Sequence, residues 1–386
     1  MTAQTTDKHR PIVKNIHFEH LDGLRFLCFL SVFLYHSFHT ESTAIQGAPL
    51  YRFVDEHIFG NGNMGVNFFF VLSGFLITYL LIAEKQLNHQ IDVPRFWLRR
   101  ILRIWPLYYC CVLFGFYAFP MLKTLLGQTP NETATVGYYL AFLSNFDLIA
   151  QGLPDASILG VLWSVAIEEQ FYLLWPLVLY VLPVRHYSWV FVGIILISWA
   201  YRACNDIAML HEYSTFSCMG DMAVGALGAW AIGQYVAIRR FFEQLPRCAI
   251  ISLYALLVFI FLFRDEVLYS HYILRIFERT LVALVALGVI LEQNYALRSP
   301  FKLGHWTWIS HWGTISYGLY CLHFIGILIV LQLTKLLHLN TQLWQVLCLE
   351  TILALILTIG ISELSYRLLE RPFLRLKERF AYFSRQ

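Results

Sequence analysis

The chain has 386 residues, of which 58% are hydrophobic, 17% aromatic and only 14% charged, with a mean hydropathy of +0.58. A water-soluble fold of this size cannot hide so much apolar surface, so the composition excludes a soluble enzyme and points to a polytopic membrane protein. The net charge of +3 gives no reason to propose nucleic acid as a partner, and the positions of the positive residues matter more than their sum.

In chain order, the N-terminus MTAQTTDKHRPIVK is polar, and no small-residue cleavage site follows the first apolar run. That run is read as an internal signal that stays in place. A helix needs about 20 apolar residues to cross the hydrocarbon. The predicted spans are 23–40, 64–83, 102–121, 161–182, 187–204, 216–236, 249–264, 272–292, 313–334 and 342–363. The longest connecting segments are 41–63, 121–160 and 293–312, and no internal repeat is visible. The expected fold is all-α, a polytopic membrane protein of about ten transmembrane helices. One transmembrane domain over 1–380 is expected, with no further soluble domain.

Loop charge sets the orientation. Lys8, Arg10 and Lys14 precede the first span, and Lys85, Arg95, Arg99 and Arg100 lie between the second and third. Arg239, Arg240 and Arg247 follow the sixth, Arg298 and Lys302 the eighth, and Arg371, Arg375, Lys377 and Arg379 close the chain. The intervening segments hold only Arg52, Lys123, Arg202, Arg264 and Lys335. The positive-inside rule then places both termini in the cytoplasm. The cysteines are scattered, mostly inside apolar segments, without a Cys-x-x-Cys pair. They read as small core side chains, not as a disulfide framework or a zinc site.

Several ionisable groups fall at membrane depth, where each is costly unless paired. LDGLR (21–25) begins the first span, and His36 follows Arg25 by eleven positions, roughly 16 Å deeper at 1.5 Å per residue. LWSVAIEEQFYLLWP (162–176) carries Glu168 and Glu169 into the bilayer. His323, Asp221 and Glu350 lie in the ninth, sixth and tenth spans. Such groups turn toward a shared wet interior.

Four segments, HLDGLRFLCFLSVFLYHS, GNMGVNFFFVLSGFLIT, RFWLRRILRIWPLYY and LWSVAIEEQFYLLWP, resemble the acyltransferase family 3 proteins in order and spacing. ISYGLYCLHF and LERPF resemble the family's ending, so the resemblance runs from about residue 16 to about 375. It implies transfer of an acyl group, usually acetyl from acetyl-CoA, to a hydroxyl on a surface glycan or lipid-linked sugar. A place in the bacterial inner membrane goes with it. Two departures stand out. Phe26, Leu27 and Cys28 replace small residues after DGLR, and Asn67 stands where many members carry an aspartate.

His36 matches the family's essential histidine. A sugar hydroxyl is a poor nucleophile near neutral pH, and a neutral imidazole can take its proton. Alternatively, the imidazole itself accepts the acyl group, or His36 is a structural residue bonded between helices. His39 shares its helix face. No third ligand stands at a recognisable spacing, so no metal is expected. Glu168 and Glu169 diverge by about 100° on a helix, and Glu168 is the candidate to orient the imidazole. A structural carboxylate held by an arginine, Trp163 or Tyr172 is the competing role. Asp22 and Arg25 can pair with each other, or Arg25 can meet the coenzyme. His323 and Asp221 are candidate cavity liners.

Arg95, Arg99 and Arg103 recur every fourth residue on one helix face, with Arg100 beside them. Guanidinium forks suit the phosphates of coenzyme A, although topology alone explains cytoplasmic positive charge. GNGNMG (60–65) fits a dinucleotide fingerprint by spacing only. It precedes a membrane helix and reads as a flexible loop. NET (131–133) is a glycosylation sequon that carries no meaning in a bacterial host. The leading expectation is a membrane O-acyltransferase using acyl-CoA and a glycan acceptor. The rival is a transporter or flippase that moves a glycosidic or anionic substrate with the same buried charges, and a sensor or scaffold explains those charges least.

Overall fold

The structure is a computed structural model and describes residues 18–37, 40 and 42–380. Every regular element among the described residues is helical. Hydrocarbon offers no partner to a backbone N–H or C=O, and a helix satisfies both within one segment. The long helices are α1 (Glu19–Ser37), α2 (Met64–Asn88), α3 (Val93–Leu113), α4 (Leu162–Val181) and α5 (Tyr187–Cys204). They continue with α6 (Thr215–Gln234), α7 (Arg247–Arg264), α8 (Tyr272–Tyr295), α9 (Ser316–Leu336) and α10 (Thr351–Ser365).

Eight helical stretches among the described residues are long and apolar enough to cross a membrane. They are Pro49–Asn88, Val93–Leu125, Ser157–Val181, Val184–Cys204, Thr215–Gln234, Arg247–Tyr269, Ser316–Leu336 and Gln345–Glu378. The expected spans at 23–40 and 272–292 correspond to α1 and α8, which are 19 and 24 residues long. They fall outside that set because they carry charge: Asp22 and Arg25 in α1, and Arg275, Glu278, Arg279 and Glu292 in α8.

Small residues let the helices meet backbone to backbone, which is how bundles pack when lipid is as apolar as leucine. A Cβ on Gly74 of α2 would lie 2.0 Å from the Met222 carbonyl oxygen of α6. A Cβ on Gly225 of α6 would lie 2.1 Å from the Val71 carbonyl oxygen of α2. The GNGNMG segment is packed in the same way, contrary to the flexible loop expected. A Cβ on Gly62 would meet the Ser31 carbonyl at 2.2 Å, and one on Gly65 the Cys28 carbonyl at 2.3 Å. Ser31 Oγ also donates to the Gly62 carbonyl at 2.9 Å. The segment is a clamp between α1 and α2. The long connection 121–160 is folded too: Lys123 Nζ pairs with Asp155 at 2.7 Å, and Glu132 accepts the Asp155 and Ala156 N–H groups.

The charges of α8 are absorbed by its neighbours. Buried Glu278 accepts from Arg264 of α7 at 2.7 Å and from Arg202 of α5 at 3.2 Å. Arg279 donates to Asp221 of α6 at 2.7 Å, and Asn67 of α2 reaches the same oxygen at 3.4 Å. One polar network thus fastens five helices.

Gly74→Val and Gly225→Leu each push a side chain into a backbone carbonyl. Each is expected to lower stability by about 3 kcal/mol or more, read as a lower melting temperature of the detergent-solubilised protein. Gly193→Ala, on an open helix surface, is the control.

Candidate active site

The site begins where α1 ends. His36 lies in the last turn of α1, while α9 runs thirteen residues beyond His323, about 20 Å. The two imidazoles stack at 5.0 Å between centroids, 29° apart, with His36 Nδ1 and His323 Nε2 separated by 3.0 Å. His323 is fully buried, and its Nδ1 lies 2.6 Å from the Tyr320 carbonyl oxygen. A carbonyl only accepts, so His323 Nδ1 carries the proton and its Nε2 is the acceptor. His36 Nδ1–H then donates to His323, which leaves the lone pair of neutral His36 on Nε2. The last-turn carbonyls of α1 favour positive charge there, so they stabilise His36 when it takes up a proton. Phe324 lies against His36 at 4.7 Å, and Phe29 and Phe33 flank His323.

Tyr320 joins this pair to α4. Its hydroxyl meets Ser164 Oγ at 2.7 Å. Glu168 lies one turn further along the same face of α4. It accepts from Ser73 Oγ of α2 at 2.6 Å, and Tyr172 OH donates to that same Ser73 oxygen at 3.2 Å. Glu169 turns away and accepts from Trp105 Nε1 at 2.9 Å. The polar contact described for His36 is therefore with His323, whereas Glu168 is tied to Ser73.

The arginines of α3 divide into two kinds. Asp92 caps the helix by accepting the Arg95 N–H at 3.1 Å and pairs with Arg95 Nε at 3.2 Å. Arg99 pairs with Glu84 at 3.3 Å and donates to the Phe380 carbonyl at 3.2 Å. Arg99 thus holds the end of α2 and the C-terminal segment, while the pair of Arg95 with Asp92 is local to the start of α3. Arg100 instead lies over the ring of Tyr172 at 5.2 Å, opposite Phe96 at 5.4 Å, and its Nε is buried without a hydrogen-bond partner. Arg103 stands close enough to Glu168 and Glu370 to act on both carboxyls by its charge. Oxygens of Glu169 and Glu370 are also buried without partners. The structure thus brings Arg100, Arg103, Glu168 and Tyr172 together and leaves buried polar atoms unsatisfied among them.

The other expected residues fall elsewhere. Asp22 and Arg25 bond to each other at the start of α1. Trp163 packs edge-on against Phe70 and Tyr213. Asp221 belongs to the buried network, and Glu350 accepts from Thr334 at 2.5 Å. His39 lies outside the described residues. Among the described residues no three His, Cys, Asp or Glu side chains stand together as metal ligands. The sequence reading missed Ser73, Ser164, Tyr320 and Glu370, whose small or common side chains give no signal in an apolar run. It also missed Glu278 and Arg279, although RIFERT inside a span was a signal.

A family model described as an acyltransferase domain matches residues 18–366. The chain belongs to this family, acyltransferase family 3. Among curated relatives, the peptidoglycan O-acetyltransferase OatA of Listeria monocytogenes is 27% identical over 377 residues, covering 91% of this chain and 55% of its own length. YrhL of Bacillus subtilis is 26% identical over 396 residues, with 95% and 56% covered. The O-acetyltransferase OatA of Staphylococcus aureus is 33% identical over 166 residues, with 41% and 24% covered. The chain spans about half the length of the first two. No solved structure matches.

Glu278→Ala leaves Arg202 and Arg264 buried without their shared carboxylate, and breaking one side of a buried ion pair costs about 3–5 kcal/mol. The expected outcome is a large loss of thermal stability in detergent. Arg367→Ala, which removes an exposed partner of Glu363, is expected to change it by less than about 1 kcal/mol.

Proposed function

We propose that this chain is an O-acetyltransferase of the bacterial cytoplasmic membrane, carrying acetyl from acetyl-CoA to a hydroxyl of an extracytoplasmic glycan. The single observation that carries this reading is the geometry of the histidine pair, with His323 Nδ1 at 2.6 Å from the Tyr320 carbonyl oxygen and His323 Nε2 at 3.0 Å from His36 Nδ1. His323, pinned by the Tyr320 carbonyl, holds His36 with Nε2 as the basic nitrogen. In this reading α1 and α8 cross with the other eight spans, making ten, and both termini are cytoplasmic.

The donor enters from the side of α3 that bears the arginines. Arg100 and Arg103 receive its phosphates, and the buried, unpartnered Nε of Arg100 supports this, because a phosphate oxygen would satisfy it. The thioester reaches His36. As the acceptor oxygen attacks the thioester carbon, His36 Nε2 takes the hydroxyl proton. The C–O bond forms, the C–S bond breaks, and the proton passes to the departing thiolate. Glu168, hydrogen-bonded to Ser73, offsets the arginine charge in the channel. OatA of Listeria monocytogenes is named a peptidoglycan O-acetyltransferase and YrhL a putative one, which supports a peptidoglycan-type glycan as the acceptor.

The test is thiol release from acetyl-CoA by the full chain in lipid nanodiscs, with glycan acceptor present. His36→Ala is expected to lower the rate by about 10²–10⁴-fold, the usual worth of a general base, while still binding coenzyme A. Arg100→Ala is expected to raise KM for acetyl-CoA by about tenfold or more, one charge-assisted hydrogen bond. A wild type that neither binds nor consumes acetyl-CoA, but moves glycan across the membrane along a gradient, would make the chain a transporter.

A further inference from the structure

A second polar cluster lies beside His36, apart from the arginines of α3, and the acyl-transfer steps above make no use of it. Tyr35 precedes His36 on α1. Its ring stands edge-on to the imidazole at 4.9 Å and is 38% exposed. The Gly62 clamp seats against it, since a Cβ on Gly62 would lie 2.7 Å from Tyr35 Cβ. The next residue, Asn63, accepts from Arg264 at 2.7 Å and donates to Glu212 at 3.4 Å. Glu212 and Tyr213 end the short helix Ala208–Tyr213. The Tyr213 ring is edge-on to Trp163 at 4.9 Å, and its carbonyl is held by Asn145 at 3.1 Å. Just before the clamp, Asn61 is 1% exposed, and both polar atoms of its amide lack a hydrogen-bond partner.

Glu212 exerts its charge on the hydroxyls of both Tyr35 and Tyr213. Burial first, then Glu212 and Tyr35, push the Tyr213 phenol well above the usual tyrosine range, so it stays an O–H donor. Glu212 also pairs with Arg279 at 3.5 Å through its other oxygen, which fixes the carboxylate, and a carboxylate so held keeps acceptor sites beyond those two contacts. An exposed ring, a half-buried phenol and a fixed carboxylate recognise a ring that is apolar on its face and polyhydroxylated at its edge.

We propose that Tyr35, Glu212 and Tyr213 form a sugar subsite that seats the acceptor glycan beside His36. The Tyr35 ring carries the sugar face, and Glu212 accepts hydrogen bonds from hydroxyls next to the one that is acylated. The subsite accounts for a pyranose as the acceptor unit, and it rests on the acyl-transfer reading only for what happens after the sugar is bound.

Binding tests it without turnover. Chitotetraose is titrated into the full chain in nanodiscs by calorimetry, for wild type, Glu212→Gln and Tyr35→Ala, with coenzyme A titrated separately as a check on folding. Each substitution is expected to raise the chitotetraose Kd by about tenfold, the worth of one charge-assisted hydrogen bond or one ring contact, with coenzyme A affinity held within about twofold. If Glu212→Gln loses coenzyme A binding as well, Tyr35→Ala alone decides. A chitotetraose Kd within twofold of wild type in both variants overturns the subsite, as does a wild type that binds no chitotetraose while releasing thiol. A wild type that binds chitotetraose through these residues but releases no thiol overturns acyl transfer and leaves the subsite standing.

Discussion

A bilayer gives a buried histidine two ways to stay: lose its charge, or find a partner whose geometry fixes where its proton sits. The 3.0 Å contact between His36 and His323 provides the second, and the rest of the site is arranged around it. Because the Tyr320 carbonyl accepts from His323 Nδ1, the proton positions of both neutral imidazoles follow. Tyr320 is itself held by Ser164, one turn before Glu168 on α4. The same face of α4 therefore runs from the histidine pair toward the arginines. In the acyl transfer proposed above, His323 takes the place that a carboxylate holds in a hydrolytic triad. A neutral partner spares the interior a permanent negative charge beside His36.

The bundle can hold that pair only if its helices keep their places, and two devices do this. Glycines such as Gly62, Gly74 and Gly225 let backbones touch, so α1, α2 and α6 have little freedom to slide. The ion pairs of Glu278 and Asp221 with Arg202, Arg264 and Arg279 fasten α5 to α8. Asn67 makes sense in this frame. The carboxylate that many family members place at this position is supplied across the interface by Asp221, whose oxygen Asn67 reaches at 3.4 Å. A second carboxylate at 67 would face the first.

Much of this was legible in the sequence, and the reasons are physical. Long apolar runs report helices because hydrocarbon forces the backbone to satisfy itself, so the long helices fall close to the expected spans. The four motifs also marked the family, and the matched region, 18–366, nearly coincides with the extent of the resemblance. His36 and Arg103 fall inside expected spans, where charge is expensive, whereas Arg100 was read with the positive charge before the third span. The pairing of His36 was not legible. Glu168 was the natural candidate by chemistry, but a partner 287 positions away is chosen by packing of α9 on α1, which no local pattern encodes. The glycine clamp was misread for a related reason. Spacing showed Gly62 and Gly65, but only the facing carbonyls of Ser31 and Cys28 show that they mark close contact. The division of the arginines, Arg95 and Arg99 in ion pairs and Arg100 and Arg103 beside Tyr172 and Glu168, likewise depends on where Asp92 and Glu84 end up.

The account stands on His36 and His323 acting as one unit, and a double-mutant cycle measures that directly. Acetyl transfer would be followed for His36→Ala, His323→Ala and the double variant under identical conditions. If the pair is one device, removing either residue costs most of what removing both costs, and the double variant is no slower than His36→Ala alone. If the two losses multiply, or His323→Ala transfers acetyl like wild type, His323 does not position the base, and the central contact of the site is packing.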